Sequence, residues 1–261
     1  MESIFSWAIL AAALTTYFAL GVIRWILGQR REALLEFEKG MHVAVYLLVV
    51  LLMLRAAEEI SSSLGLEVRL SDPLSAESTL RQAASTFWNA SRAAVDVVLF
   101  VSTERAILAA APLTTPLSSV LGAATGWSVT ELSITAIFFM HLSFAADALS
   151  RVATLILSLG ASLTPVPALR KAGAALLAAY LSAVISLSYA ALLTHDALQN
   201  VRVPSAASPM DWVKVAEIAG DAAVSLGSAA TKAGVALAMG SVAGVGLASF
   251  FGSIYISLTR L

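Results

Sequence analysis

Long runs of apolar residues, each able to cross a lipid bilayer, most constrain how this chain can fold. The first run, residues 4–27, carries one charge, Arg24, close to its end. At about 1.5 Å of rise per residue, such a run crosses the hydrocarbon layer as a single helix. Further runs follow, and 59% of the 261 residues are hydrophobic. The sequence therefore predicts an all-α, polytopic transmembrane helical bundle, one integral-membrane domain over residues 1–261, in the cell membrane.

About six to seven spans are expected, together with one amphipathic helix at the membrane interface. Residues 74–92 place Leu80, Phe87 and Trp88 on one side of a helix, which is typical of a helix on the membrane surface. The preceding segment 71–73, Ser-Asp-Pro, is a helix start signal. The expected spans are residues 4–27, 41–57, 93–111, 127–149, 152–163, 169–195 and 210–260.

A proline-containing helix break is predicted after the fifth of these spans. Residues 152–163 are too few to cross a bilayer alone, and Pro165 and Pro167 follow them. Proline leaves backbone carbonyls without their helical donors, so this segment has to be covered by protein, line a cavity or lie at the interface. A half-helix in a transport path and an ordinary turn between two helices both fit the pattern.

Small residues recur every four positions along the last span. This stripe lets two helix backbones approach closely, because lipid provides no hydrophobic drive for helix association. Packing within the chain and a seam between identical subunits are both consistent with it. The stripe consists of Gly240, Gly244, Ala248 and Gly252.

Ionisable residues lie in or beside the apolar spans, where charge is costly and often functional. Asp96 and Glu104 are eight residues apart, and Glu217 and Asp221 are four apart, so each pair shares a helix face. A proton or cation path, buried ion pairs and solvated helix ends are the alternatives. The candidate pore or intramembrane charges are Asp96, Glu104, Arg105, Glu131, His141, Asp147, Glu217, Asp221 and Lys232.

Signatures of catalysis and of cofactor binding are missing from the sequence. It has no Gly-x-Ser-x-Gly, no His-Glu-x-x-His and no phosphate-binding glycine loop with lysine. Cysteine is absent and the three histidines show no metal-ligand spacing. A net charge of −1 provides no overall basic field for nucleic acid. We therefore expect a non-enzyme without catalytic residues, cofactor or metal.

The order of segments resembles the TrbL-like polytopic membrane subunits of conjugation and type IV secretion machines. The features that carry it are the N-terminal span, an amphipathic helix after the second span, and a final Gly-, Ala- and Ser-rich helix. The break at Pro165 and Pro167, followed by Arg170 and Lys171, belongs to the same pattern. Size, the absence of cysteine and the Ala- and Ser-rich spans are most similar to the membrane subunit of the archaeal Ced DNA-import system.

This resemblance implies a membrane channel or platform, built as a ring of identical subunits with the glycine stripe as a close-packing face. The implied partners are the lipid bilayer, a separate CedB-like translocation ATPase, small pilin-like membrane subunits and DNA as cargo. An ion-coupled transporter of a small solute is the alternative, with Asp96, Glu131, Asp147 or Glu217 as the coupling group. A transporter is expected to show two related halves, which the sequence lacks. A non-conducting scaffold is the third hypothesis.

Overall fold

The computed structural model describes residues 3–66, 68–110, 112–164, 169–201 and 212–258. These residues form six helices and no strand, which confirms the predicted all-α class for the described part of the chain. The helices are α1 (Ser3–Ile26), α2 (Arg30–Ser63), α3 (Pro73–Ala110), α4 (Thr115–Leu163), α5 (Arg170–Asn200) and α6 (Trp212–Leu258).

Four of these helices are long and apolar enough to cross a membrane, judged by length and composition. They are α2, α4, α5 and the part Val213–Phe250 of α6. The described part of α1 contributes a shorter apolar stretch, Leu14–Ile26. Several long apolar helices are compatible with the predicted membrane protein. Four is fewer than the six to seven spans expected from the sequence, so the finer count stays a proposal.

Segments that the sequence analysis separated are continuous helices in the structure. The expected interfacial helix, residues 74–92, and the span 93–111 both lie in α3, except that α3 ends at Ala110. Residues 127–149 and 152–163 likewise belong to one helix, α4. The prolines of these two helices lie at their starts, Pro73 as the first residue of α3 and Pro116 as the second of α4. Ala and Leu, which favour helix, continue each helix across the charged residues between the expected segments. The expected short fifth span is therefore wrong as a separate element.

The ends of two helices bear on further predictions. α3 begins at Pro73, and the backbone N–H of Leu74 donates to Asp72 Oδ1 at 3.1 Å, so the predicted start signal is confirmed. Between α4 and α5, the predicted break at Pro165 and Pro167 lies outside the described residues. The span expected at residues 41–57 belongs to the longer α2, Arg30–Ser63.

Contacts between Cα atoms divide the chain into two compact units. Unit 1 comprises Met1–Thr79, Leu149–Ser186 and Ala238–Leu261, and unit 2 comprises Leu80–Ala148 and Leu187–Leu237. Helices α3 to α6 each contribute residues to both units. The single integral-membrane domain predicted over residues 1–261 stays a prediction.

In unit 1, α1 and α2 form an antiparallel hairpin. Gly28 turns the chain between them with a φ of +80°, a conformation that glycine adopts without strain. The Arg24 guanidinium of α1 lies 3.2 Å from Glu36 Oε1 of α2, and Lys39 Nζ lies 3.1 Å from the same oxygen. Because the Glu36 side chain is only 8% exposed, these two cations neutralise a carboxylate that would otherwise be buried alone.

The connection between α2 and α3 is also held by polar side chains of unit 1. Tyr180 of α5 is fully buried, and its hydroxyl donates to the Leu70 carbonyl oxygen at 3.1 Å. Glu58 Oε1 accepts from both the backbone N–H and the hydroxyl of Ser71, at 2.8 and 2.7 Å. These bonds fix an irregular segment by satisfying its backbone groups, as buried loops require.

In unit 2, α3 and α4 form an antiparallel pair joined by two reciprocal hydrogen bonds. The buried Ser91 hydroxyl of α3 donates to the Ala136 carbonyl oxygen of α4 at 2.9 Å. The buried Ser143 hydroxyl of α4 donates to the Ala84 carbonyl oxygen of α3, also at 2.9 Å. Hydroxyl-to-carbonyl bonds between helices stabilise packing where the hydrophobic effect is weak.

Candidate functional site

Two carboxylates of unit 2 lie at the same level of the α3–α4 pair. Asp96 comes five residues after Ser91, and Glu131 comes five residues before Ala136. Since Ser91 bonds to Ala136 and the helices are antiparallel, this register brings Asp96 level with Glu131. The two differ in surroundings, because Asp96 is exposed whereas Glu131 is half-buried.

The carboxylate of Glu131 lies against the backbone of α6 at Gly227. A methyl group built on the Gly227 Cα would be 2.6 Å from Glu131 Oε1, so the absence of a side chain makes room for the carboxylate. Ser128 and Thr135, both buried, lie about one turn away on either side of Glu131 along α4. This arrangement places a carboxylate with two neighbouring hydroxyls on an apolar helix of unit 2.

Glu104 is the most deeply buried of the predicted charges. Its exposed fraction is 7%, and no described group donates a hydrogen bond to its Oε1 atom. On the same side of α3, Val97 and Val101 are fully buried. The carboxylate thus occupies a position that the helical pattern reserves for an apolar side chain.

The neighbouring Arg105 faces a different direction. A methyl group built on Gly122 of α4 would lie 2.7 Å from the Arg105 guanidinium, so this side chain lies across the bare α4 backbone. Ser118 of α4 adds a hydroxyl that donates to the Arg105 carbonyl oxygen at 3.2 Å. Arg105 takes part in no ion pair among the described residues.

The remaining predicted charges are spread over the molecule. His141 is exposed, and its Nδ1 lies 2.7 Å from the Ile137 carbonyl oxygen, a contact within its own helix. Asp147 is half-buried. Among the described residues, no group of three or more His, Asp or Glu could hold a metal ion. The last three predicted charges, Glu217, Asp221 and Lys232, lie at exposed positions on α6.

Two glycines of the small-residue stripe pack against α5 within unit 1. A methyl group built on Gly240 would contact the Ser186 side chain, with Oγ at 2.8 Å. The same construction at Gly244 meets Ser182 Oγ at 2.7 Å. The stripe therefore serves close packing inside the chain, and its use as a seam between subunits stays a prediction.

The structure gives less detail for the other two members of the stripe. Ala248 is half-buried in unit 1. Gly252 lies in the last part of α6, outside the residues whose side-chain surroundings the structure describes.

Serines are the residues that sequence reasoning missed. Ser182 and Ser186 are four apart on α5, the same spacing as Gly240 and Gly244 on α6. This small-x-x-x-small pattern was visible in the sequence and predicts a close helix crossing. The interhelical bond of Ser91 had no such signal, because serine also occurs on exposed helix faces.

Comparison with known proteins identifies no relative of this chain. No protein-family model, no curated protein and no solved structure matches the chain. Function is therefore inferred from the order of segments in the sequence and from the geometry of the described residues.

Proposed function

We propose that the chain is a multi-pass membrane subunit of a DNA-translocation machine, of the CedA-like kind within the TrbL-like group. In this proposal each of the six helices crosses the membrane once, and several copies assemble into the conduit. Nucleotide hydrolysis is left to a separate CedB-like ATPase, and pilin-like subunits complete the machine. The order of apolar helices supports the membrane role, and the outer surface of α6 supports the assembly.

The observation that carries the proposal is an exposed face of small and β-branched residues on α6. Ala238, Val242, Val245 and Ser249 follow one another at spacings of four, three and four, and all are exposed. Val242 and Val245 each have an exposed fraction of 74%. We name these four residues the outer α6 face. They lie on the side of the helix away from the packed Gly240, so the helix has two faces suited to packing.

Part of the exposed surface of α4 carries larger side chains. On α4, Ile134, Ile137 and Phe144 are each more than half exposed. Bulky apolar side chains are suited to contact with lipid, whereas small residues let a second helix approach closely. The outer α6 face is therefore the surface on which a second copy of the chain is expected to pack.

Assembly is tested by measuring the mass of the particle in lipid nanodiscs. The wild-type protein is expected to form a closed ring of identical subunits. Val242→Trp places a large ring on the outer α6 face and is expected to release monomers, whereas Ile134→Trp, on the bulky surface of α4, keeps the ring. A monomeric wild type, or a ring that survives Val242→Trp, contradicts the proposed assembly.

The role in DNA transfer is tested in cells that lack the gene. Uptake of fluorescently labelled double-stranded DNA is expected to fall to background and to return with the wild-type gene or with Ile134→Trp. Complementation by Val242→Trp is expected to fail although the variant inserts into the membrane. Normal DNA uptake without the gene would remove DNA translocation from the proposal and leave the scaffold hypothesis.

A second candidate function, ion-coupled transport of a small solute, is favoured by the position of Glu131 against Gly227. A carboxylate held on an apolar helix between two hydroxyl-bearing residues is suited to carry a coupling ion. Glu131→Gln is then expected to abolish ion-driven solute uptake into liposomes, while Asp96→Asn, at the same level but exposed, leaves uptake intact. Unchanged uptake with Glu131→Gln would exclude this carboxylate from coupling.

A further inference from the structure

Glu104 is buried in a way that separates it from the other charges of the chain. Only 7% of the residue is exposed, and Oε1 has no hydrogen-bond partner among the described residues. The helix positions that precede it on this side of α3, Ala94, Val97 and Val101, are fully buried and apolar. Their burial defines the core-facing side of α3 in unit 2, and Glu104 continues that side.

The adjacent arginine does not neutralise this carboxylate. Successive residues of a helix are about 100° apart around its axis, so Arg105 and Glu104 leave α3 in different directions. The Arg105 guanidinium lies across Gly122 of α4. Neither Glu104 nor Arg105 takes part in an ion pair among the described residues. Within the described residues, the charge of Glu104 has no compensating cation.

An ionised carboxylate in this position is costly unless a cation accompanies it. Removal of one charge from water without a partner costs several kcal/mol in a protein interior. Glu36 of unit 1 shows how a buried carboxylate is usually neutralised, since two basic side chains lie within 3.2 Å of one of its oxygens. At Glu104 either a proton or a cation from solution has to neutralise the carboxylate.

We infer that Glu104 binds a sodium ion in competition with a proton. One carboxylate balances one positive charge, whereas divalent ions are usually held by two or more acidic ligands. No group of three or more His, Asp or Glu among the described residues could hold a metal ion, which disfavours a divalent site. Neutral oxygens or water complete the shell of the sodium ion. This inference is independent of both proposed functions, because it concerns the charge balance of unit 2 alone.

The inference is tested by thermal unfolding of the full chain in nanodiscs, in sodium chloride and in choline chloride of equal concentration. An ion that binds only the folded state raises the Tm of the protein as the ion concentration increases. Wild type is therefore expected to show a saturable, sodium-specific rise in Tm. Glu104→Gln is expected to lose this rise and to be at least as stable in choline chloride, since the uncompensated charge is gone.

A control variant places the effect at Glu104. Asp96→Asn removes an exposed carboxylate from the same helix, α3. It is expected to keep the sodium-dependent rise of the wild type. A rise of the same size in Glu104→Gln, or no sodium-specific rise in the wild type, overturns the inference.

A second measurement on the wild type covers the case in which Glu104→Gln fails to fold. The apolar reagent dicyclohexylcarbodiimide modifies accessible protonated carboxyl groups, and peptide mass spectrometry identifies each modified residue. Sodium chloride is expected to slow modification of Glu104 several-fold relative to choline chloride, with no change at Asp96. Modification of Glu104 at the same rate in both salts contradicts sodium binding.

Discussion

Glycines of α6 differ in which neighbouring atoms lie where a side chain would be. This difference determines how much a substitution by alanine destabilises the fold. Gly240 faces the Ser186 side chain close to the α5 backbone, whereas Gly227 faces the far end of the Glu131 side chain. A methyl group built on Gly246 would meet no atom within 4 Å outside its own stretch of helix. A short side chain next to its own backbone cannot retreat, while a carboxylate at the end of three rotatable bonds can.

Gly240→Ala is therefore expected to destabilise the folded chain by about 1–3 kcal/mol, as overpacking does. Tm in detergent measures the effect, with Gly246→Ala as the matched control. That control is expected to be neutral or slightly stabilising, because alanine is the better helix former. Adding Ser186→Gly to Gly240→Ala removes the clash and is expected to restore part of the lost stability. Equal Tm values for the two alanine variants would contradict the close α5–α6 packing.

Gly227→Ala is expected to cost less than Gly240→Ala, within about 1 kcal/mol of wild type, because Glu131 moves aside. Its main effect is then a displaced carboxylate. On the ion-coupling hypothesis, Gly227→Ala lowers ion-driven uptake while Tm changes little. A loss of stability as large as that of Gly240→Ala would mean that the Glu131 side chain is held rigidly.

At the scale of elements, the α3–α4 pair depends on hydroxyl groups as well as on apolar contacts. Phe87 of α3 and Phe139 of α4 stack with ring centroids 6.1 Å apart, and both are fully buried. Ser91 and Ser143 bond across the pair on either side of this contact. Apolar packing and polar bonds together determine one register of α3 against α4.

Ser91→Ala is expected to lower the free energy of unfolding by about 0.6–1 kcal/mol, the usual worth of such a bond in a membrane protein. The Ala136 carbonyl is not left without a donor, since it belongs to the α4 helical ladder. Ser102→Ala is the control, because the Ser102 hydroxyl is exposed and donates to Val98 of its own helix. The comparison is made by unfolding in denaturing detergent; indistinguishable variants would show that the α3–α4 bond contributes nothing.

At the scale of the whole molecule, helix number decides membrane topology. Six helices that each cross once place both ends of the described chain, residues 3 and 258, on the same side. The seven spans expected from the sequence would place them on opposite sides. Reporter fusions at both termini measure this, and we expect both to report the same compartment. Opposite compartments would mean an odd number of crossings, one more or one fewer than six, and would contradict the six-span arrangement.

Hydropathy and spacing were sufficient to predict the helical class and the apolar helices, because those properties are local to each segment. They also predicted the α3 start at Asp72 and Pro73, a signal carried by adjacent residues. They failed at the junctions near residues 92 and 150, where two separate segments were expected to meet. Both helices continue there, since charge alone does not interrupt the backbone hydrogen-bond ladder.

Only the tertiary structure decided which residues meet. Glu104 and Asp96 are both carboxylates and were expected to share a face of one helix. In the structure Glu104 is buried and Asp96 is exposed. The pairing of Glu131 with Gly227, and of Gly240 with Ser186, joins residues that are far apart in the chain. Spacing defines a face of one helix, but which neighbour covers that face depends on how all helices pack. That packing is a non-local property, and it separates the buried carboxylates from the solvated ones.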